Sequence, residues 1–320
     1  MINISIIGGS GFVGTRFIQE FKDKGLYNLK NIDKIPSPVF NELTEIGNVL
    51  DKKSLKEKLK NTDLVLLLAA EHRDDVTPTS LYYDVNVTGI QNVIEVMEEL
   101  GIKRLVFTSS VAIYGLDKDN PNEDFQAAPF NHYGISKWKA EQVLQEWYKS
   151  HLDWNINIIR PTVIFGEGNR GNVYNLLKQI SSGKFMMIGK GTNEKSMSYV
   201  GNIVAFISFL IQNNSTGYHI YNYSDTPDLS TNDLVFYTGK ILNKDIPKIH
   251  IPYWLGMVGG YGFDLLAFIT RKKLPISSIR VRKFCANTKY DSQKSKILGF
   301  KPPYSLEEGL KNMLDNEFSK

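Results

Sequence analysis

A strand that runs straight into glycine constrains this chain most. Met1-Ile2-Asn3-Ile4-Ser5-Ile6-Ile7 is apolar enough to be a strand and passes into Gly8-Gly9-Ser10-Gly11-Phe12-Val13-Gly14. Beyond it, Thr15 to Lys24 carries Phe17, Ile18 and Phe21 at helical spacing. Strand, glycine turn and helix in that order suit a dinucleotide: glycines let the main chain approach a pyrophosphate, and the helix start offers unpaired N–H groups. An ordinary tight turn would need no such context.

A second short strand, Asn28 to Ile32, ends at Asp33, about twenty residues past the glycines, where a carboxylate can accept hydrogen bonds from ribose hydroxyls. This favours NAD, although the adjacent Lys34 would tolerate the extra phosphate of NADP. Asn48 and Val49 stand where a third strand should end and are placed to border an adenine. The run Asp63 to Ala70 is continuously apolar, as expected of a parallel strand covered on both faces, and its small terminal residues leave space for a cofactor. Glu71-His72-Arg73-Asp74-Asp75 follows as a solvated loop. A helix over Asn86 to Leu100 and a strand over Arg104 to Thr108 come next, delivering Ser109 and Ser110 to the carboxyl edge, where open parallel sheets bind ligands. Asn131 to His151 repeats apolar residues at helical spacing, and Asn155 to Arg160 is a further strand ended by Pro161. The alternation predicts an α/β fold: a Rossmann-type doubly wound parallel sheet over residues 1–165, with 197–224 returning to it, and a smaller mixed substrate lobe over 166–320.

Tyr133 and Lys137, four residues apart at the start of a helix, lie on one face and can share a pocket. A lysine ammonium beside a phenol favours the phenolate, which makes the pair a candidate acid/base. Tyr114/Lys118, Tyr174/Lys178 and Tyr290/Lys294 have the same spacing, so surroundings must decide among them.

Composition narrows the classes. A net charge of +4 with scattered basic residues gives no reason to invoke nucleic acid, and one cysteine with five dispersed histidines offers neither a disulfide nor a metal site. Met1 to Ile7 leaves no room for a signal peptide, and no apolar run is long enough to span a bilayer, so a cytoplasmic protein without stable membrane insertion is expected. Trp254 to Ile269 is apolar enough for surface attachment, but core packing is the expected role. The tail from Leu229 to Asn316 reads as short helices and turns.

In order, Gly8-x-x-Gly11-x-x-Gly14, Asp33, Leu68-Ala69-Ala70, Asn86-Val87-Thr88-Gly89, Thr108-Ser109-Ser110, Tyr133-x-x-x-Lys137 and Arg160-Pro161-Thr162 resemble the extended short-chain dehydrogenases, specifically the NAD-dependent epimerase/dehydratase group acting on nucleotide sugars. The likeness runs from Ile4 to about Leu314. It implies that Tyr133 is the acid/base, that Lys137 lowers its pKa and holds the nicotinamide ribose, and that Ser110 hydrogen-bonds the reacting sugar oxygen. It also implies a cofactor site of Gly8, Ser10, Gly11, Phe12, Val13, Gly14, Asp33, Asn48, Val49, Leu68, Ala69, Ala70, Asn86, Thr108, Tyr133, Lys137 and Pro161, and a homodimer packed through the helices near Asn86 and Tyr133. Dehydratases of the group carry an Asp-Glu pair where this chain has Val111 and Ala112, which removes the acid and base that elimination needs. A 4-epimerase or 4-keto reductase is left, acting on a UDP-linked hexose or 6-deoxyhexose, N-acetylated or not, in surface-polysaccharide precursor synthesis. Arg170, Asn172, Arg280 and Arg282 are candidates for the substrate, with Lys178 a further candidate for its diphosphate, since guanidinium forks suit phosphate oxygens. The position opening the second lobe, often an aspartate in the family, is Asn202. Two readings from other classes stand beside this one: a non-catalytic dinucleotide-binding sensor or scaffold, and a hydroxysteroid-type dehydrogenase whose Trp254–Ile269 segment faces a membrane.

Overall fold

The computed structural model of the chain describes residues 1–319 except 74, 75, 184, 214, 248, 273, 275 and 276. Asp74 and Asp75 of the expected charged loop therefore lie outside the described residues. The first half alternates strand and helix: β1 (Ile2–Ile7), α1 (Phe12–Phe21), β2 (Tyr27–Asp33), β3 (Thr44–Ile46), α2 (Lys52–Lys58), β4 (Leu64–Leu67), α3 (Ser80–Tyr83), α4 (Gly89–Leu100), β5 (Arg104–Thr108), α5 (His132–Tyr148) and β6 (Asn155–Pro161). Beyond these come β7 (Val163–Phe165), α6 (Asn172–Ser181), β8 (Met187–Ile188), β9 (Glu194–Lys195), β10 (Met197–Tyr199), α7 (Val200–Gln212) and β11 (Gly217–Tyr223). The rest is β12 (Leu229–Ser230), α8 (Thr231–Leu242), β13 (His250–Ile251), α9 (Tyr253–Thr270), α10 (Ser278–Cys285), α11 (Gln293–Ile297) and α12 (Leu306–Phe318).

Seven strands form one parallel sheet in the order β11-β6-β5-β4-β1-β2-β3. The order reverses between β1 and β4, so the turns that leave these two strands flank a crevice at the sheet's carboxyl edge. Both faces are covered, which explains why β4 is buried at every position. On one side Ile90, Val93 and Met97 of α4 with Ala140 and Leu144 of α5 pack on Val65, Leu105 and Ile156. On the other, Phe17 and Ile18 of α1 with Ile203, Phe206 and Ile207 of α7 pack on Ile4, Leu66 and Ile159. The helix expected over Asn86–Leu100 opens with a π-helical turn, Asp84–Thr88, before α4 begins at Gly89.

A third cluster, with Phe165, Leu177, Tyr199, Leu234, Leu310 and Met313, gathers the short ribbons and α6, α8 and α12 into a layer of their own. The expectation that Trp254–Ile269 is core is overturned. That stretch is the 18-residue helix α9, in which Gly260 alone is fully buried, while Trp254 is 66 % and Phe268 83 % exposed. The physical reason is that α9 packs through its small residues and leaves the large ones outside. No described helix is long and apolar enough to cross a membrane.

Candidate active site

The glycine turn is held by contacts that only glycine allows. Gly8 has φ +91°, and a Cβ there would lie 2.5 Å from Ala69 N. A Cβ on Gly14 would lie 2.4 Å from Gly9 Cα, so α1 starts tight against the turn. Gly8 N donates to Ile32 O at 2.8 Å, and Leu68 N and Ala69 N both donate to Ile7 O at 2.8 Å, which clamps the turn after β4 beside the one after β1. A dinucleotide fits what is left open. No side chain caps the start of α1 at Gly11, and a Cβ on Gly11 would meet only Gly8 O, at 3.3 Å. Phe12 and Val13 are the first residues of that helix.

Asp33, at the end of β2, accepts from Ser10 N at 3.0 Å and Ile35 N at 3.2 Å, which aims its carboxylate over the turn with lone pairs to spare. Sequence reasoning missed its support: buried Asn31 donates to Ser10 Oγ at 3.0 Å and to Thr44 Oγ1 at 2.9 Å. Val49 is buried against Gly89, so its side chain belongs to the core, while exposed Asn48 accepts from Leu50 N at 3.0 Å. Pro161 closes β6, paired with Tyr223 of β11.

Tyr133, Lys137 and Ser110 are brought together by one strand end and one helix start. Asn131 caps α5, its Oδ1 accepting from Gly134 N at 2.8 Å, and Gly134 lies so near Ala112 O that a Cβ would be 2.6 Å away. Ser110 accepts from Ala112 N at 3.1 Å and hydrogen-bonds the Tyr133 hydroxyl. Lys137, 2 % exposed, donates to Thr108 O at 2.8 Å, and its Nζ lies 4.7 Å from the centre of the Phe107 ring.

The electrostatics differ from the simple expectation that Lys137 lowers the tyrosine. Burial pushes the Tyr133 phenol above 10.0, and the Ser110 hydrogen bond draws it back only in part. Burial also pushes Lys137 down to about 7, against the pull of Glu141. Burial alone thus disfavours the charged form of both groups. The other equally spaced tyrosines have different employment. Tyr114 donates to Asn222 Oδ1 at 2.8 Å and accepts from Arg160 at 2.6 Å, its pKa raised to about 12 by burial. Tyr174 stacks with Phe318, and half-buried Tyr290 is also raised to about 12 by burial.

Further polar groups hold the frame. Asn86 accepts from Glu71 N at 2.8 Å and donates to Glu71 O at 2.9 Å and Ser136 Oγ at 2.8 Å, so it ties the loop after β4 to α5. Glu141, 1 % exposed, takes Arg160 at 2.6 Å and the hydroxyl of Ser109, which pins the residue next to Ser110. Val111 and Ala112 fill a 3-10 turn after Ser110, with no carboxylate in either position.

The substrate candidates divide. Arg282 borders a cleft of about 380 Å³ that also includes Asp117, Ile188, Lys190 and Tyr253, and it pairs with Asp117 at 3.0 Å. Lys283, next to it, lies 5.3 Å from the Phe130 ring, just ahead of Tyr133. Arg280 is exposed on the same helix. Arg170 is taken by Glu317 at 2.6 Å and lies over Tyr174, which Lys178 also approaches, while Asn172 is exposed at the start of α6. Asn202 donates to Asp225 at 2.9 Å and to Tyr304 O at 2.8 Å, and accepts from Tyr304 N at 3.0 Å, a joint rather than a ligand position.

A model of the NAD dependent epimerase/dehydratase family matches residues 4–223. An Escherichia coli O157:H7 protein, the N-acetyl-alpha-D-glucosaminyl-diphospho-ditrans,octacis-undecaprenol 4-epimerase, is 57 % identical over 99 % of this chain and 95 % of its own length. A UDP-glucose 4-epimerase from Vibrio cholerae is 29 % identical over 97 % of this chain and 93 % of its own. Among solved structures, a UDP-glucuronic acid 4-epimerase from Bacillus cereus in complex with NAD superposes with a TM-score of 0.78 at 20 % identity, covering both chains completely.

Proposed function

The chain belongs to the NAD dependent epimerase/dehydratase family, and from that premise we propose that it interconverts the C4 epimers of an N-acetylhexosamine carried on a diphosphate. The observation that carries the reading is 57 % identity, along nearly the whole chain, to a 4-epimerase of diphosphate-linked N-acetylglucosamine. Geometry supports it: Ser110 and Tyr133 meet at the sheet's carboxyl edge, with Val111 and Ala112 where elimination would need acids. By that relative's name the carrier is a polyprenyl diphosphate. The UDP carrier expected from the sequence is the second reading, favoured by the Vibrio cholerae relative. Residues 166–320, apart from about 197–224, would form the substrate lobe, with Arg282 and Arg280 facing the diphosphate. A homodimer through α4 and α5, a cytoplasmic site of action and a place in surface-polysaccharide precursor synthesis belong to the same proposal.

In this mechanism Tyr133 takes the proton from the sugar's C4 hydroxyl and returns it after the ring has presented its other face, while Ser110 holds the same oxygen. Lys137 supports the phenolate and fixes the strand end through Thr108 O. Bound NAD supplies the cationic, reversible hydrogen acceptor, and its charge favours the phenolate that burial opposes. Asn86 and Glu141 keep the loop, the helix and the strand end in register.

The test is to purify the protein, ask whether NAD accompanies it, and offer polyprenyl-diphosphate-linked and UDP-linked N-acetylglucosamine. The expected result is the 4-epimer of one of them with no net change in reduced nicotinamide. Stoichiometric consumption of NADH with a 4-keto sugar would make the protein a reductase. A Tyr133→Phe variant should lose roughly 10²–10⁴ in rate, and full activity in it would remove Tyr133 from the role.

A further inference from the structure

Helix α9 is built inside out. Its inner positions are Gly256, Gly260, Asp264 and Ala267, and larger residues would not fit there: a Cβ on Gly256 would lie 2.5 Å from Ile188 Cγ2, and one on Gly260 2.8 Å from Ser278 Cα. Its outer stripe, Trp254, Val258, Tyr261, Leu265 and Phe268, recurs every three or four residues, flanked by Leu255, Leu266 and Ile269, and all of these are exposed. Asp264 is the one charged residue of the helix in the sequence, and it is turned inward, accepting from Ser278 N at 3.2 Å and Ser278 Oγ at 2.5 Å. A contiguous apolar stripe of this size on a surface marks an interaction site.

Charge indicates what covers it. Residues 250–285 carry six Lys or Arg, namely Arg271, Lys272, Lys273, Arg280, Arg282 and Lys283, against Asp264 alone, so this segment exceeds the net +4 of the whole chain. Arg271 and Lys272, exposed at the end of α9, lie where such a helix would meet headgroups. Trp254 and Tyr261 are residues that settle at a membrane–water boundary. At about 27 Å the helix is long enough to lie along a surface, and no described helix is fit to cross one. Tyr253, at its start, lines the same cleft as Arg282.

We propose that α9 docks the enzyme on an anionic lipid bilayer, its outer stripe in the headgroup–acyl boundary and the basic residues beside it against anionic headgroups. This deepens the reading of a polyprenyl-linked substrate: the cleft then opens at the level of the bilayer, and a sugar diphosphate reaches Arg282 while its chain stays in lipid. The test uses the purified full-length protein and flotation with vesicles of phosphatidylcholine alone or mixed with phosphatidylglycerol. Binding to the mixed vesicles, a roughly hundredfold fall in partitioning for the Val258→Glu/Leu265→Glu double variant, and a fall of about tenfold or more for Arg271→Ala/Lys272→Ala are expected. NAD content and thermal midpoint should not change; if the double variant fails there, Phe268→Ser, at the most exposed of these positions, is read in its place. No binding to either vesicle, or equal binding by the variants, overturns the proposal. So does light scattering in which the wild type self-associates without lipid and the double variant does not, since a second copy would then cover the stripe. Epimerisation of a water-soluble short-prenyl-diphosphate sugar should be equal in wild type and double variant. If neither acts on it, the substrate reading fails while the vesicle result still stands on its own.

Discussion

At the scale of single residues, the site sets two neutralising burials against each other. Lys137 is 2 % exposed and donates to the carbonyl of Thr108, an uncharged acceptor, so its ammonium is poorly compensated and its pKa falls to about 7. Because the folded-state pKa lies below the ordinary 10.5, the stability linked to this group is complete above 10.5 and is lost as pH falls toward 7. Replacing it by Met removes the amine and keeps an apolar stem of similar length. Lys137→Met, freed of NAD, should therefore gain on the wild type by about 2 kcal/mol between pH 9 and pH 7, at ~1.4 kcal/mol per pH unit until the folded lysine itself takes up the proton near pH 7, as read from urea unfolding at both values. The same variant should lose roughly a hundredfold in turnover, because the Tyr133 phenolate then keeps only Ser110 and the charge of bound NAD in its support. A loss of stability alongside the loss of activity would show that Lys137 holds the fold rather than the chemistry.

At the scale of elements, the candidate catalytic residues are accurate only as far as α5 is accurate, and α5 is placed by its first turn. Asn131 caps it, Ser136 ties it to Asn86, and Gly134 lets it approach the strand-end turn at Ala112 O. Gly134→Ala should push the helix start away by a few tenths of an ångström or more, costing about 1–3 kcal/mol as overpacking does and lowering turnover more than substrate affinity. Urea unfolding and steady-state kinetics on one preparation check this, and an unchanged rate would mean that Tyr133 tolerates displacement. The strand, glycine turn and helix at the start, the strand Arg104–Thr108 and the helix carrying Tyr133 were all legible in the sequence, because period and punctuation agree there. The π-helical turn over Asp84–Thr88 was not, since the apolar spacing that marks this helix, Ile90, Val93, Ile94 and Met97, begins only after it. Nor was the pinning of Ser109 by Glu141 and Arg160, which are 19 residues apart in sequence and meet only when β5, β6 and α5 pack. Arg170 illustrates the converse: a basic residue in a glycine-rich loop suggested phosphate, and the fold gives it Glu317.

At the scale of the whole molecule, a buried carboxylate is one of the points that join the sheet to the layer above it. Asp225, just past β11, accepts from Tyr199 N at 2.7 Å, from Tyr223 Oη at 2.9 Å and from Asn202 Nδ2 at 2.9 Å, and Asn202 passes the connection to Tyr304 ahead of α12. The sequence marked Asn202 as a departure from the family's aspartate, but the carboxylate across from it is 23 residues away and could not be paired with it from spacing alone. The inside-out helix α9 was illegible for a related reason: a window of apolar residues does not say which face the protein covers. Burial raises Asp225 to about 6 although three donors favour its charged form. Since the folded-state pKa lies above the ordinary 3.8, the stability linked to this group is complete below 3.8 and is lost as pH rises through 6. The wild type should thus lose about 2 kcal/mol from this residue between pH 4 and pH 7, at ~1.4 kcal/mol per unit over the span between the two pKa values, superimposed on the opposite trend of its other carboxylates. An Asp225→Asn variant has the same shape and no proton to lose, so its stability relative to the wild type should rise by that amount over the same interval. Unfolding of both proteins in urea across that range isolates the contribution of this one group; a constant difference would mean that Asp225 is already ionised in the folded protein near pH 4, with its donors outweighing its burial.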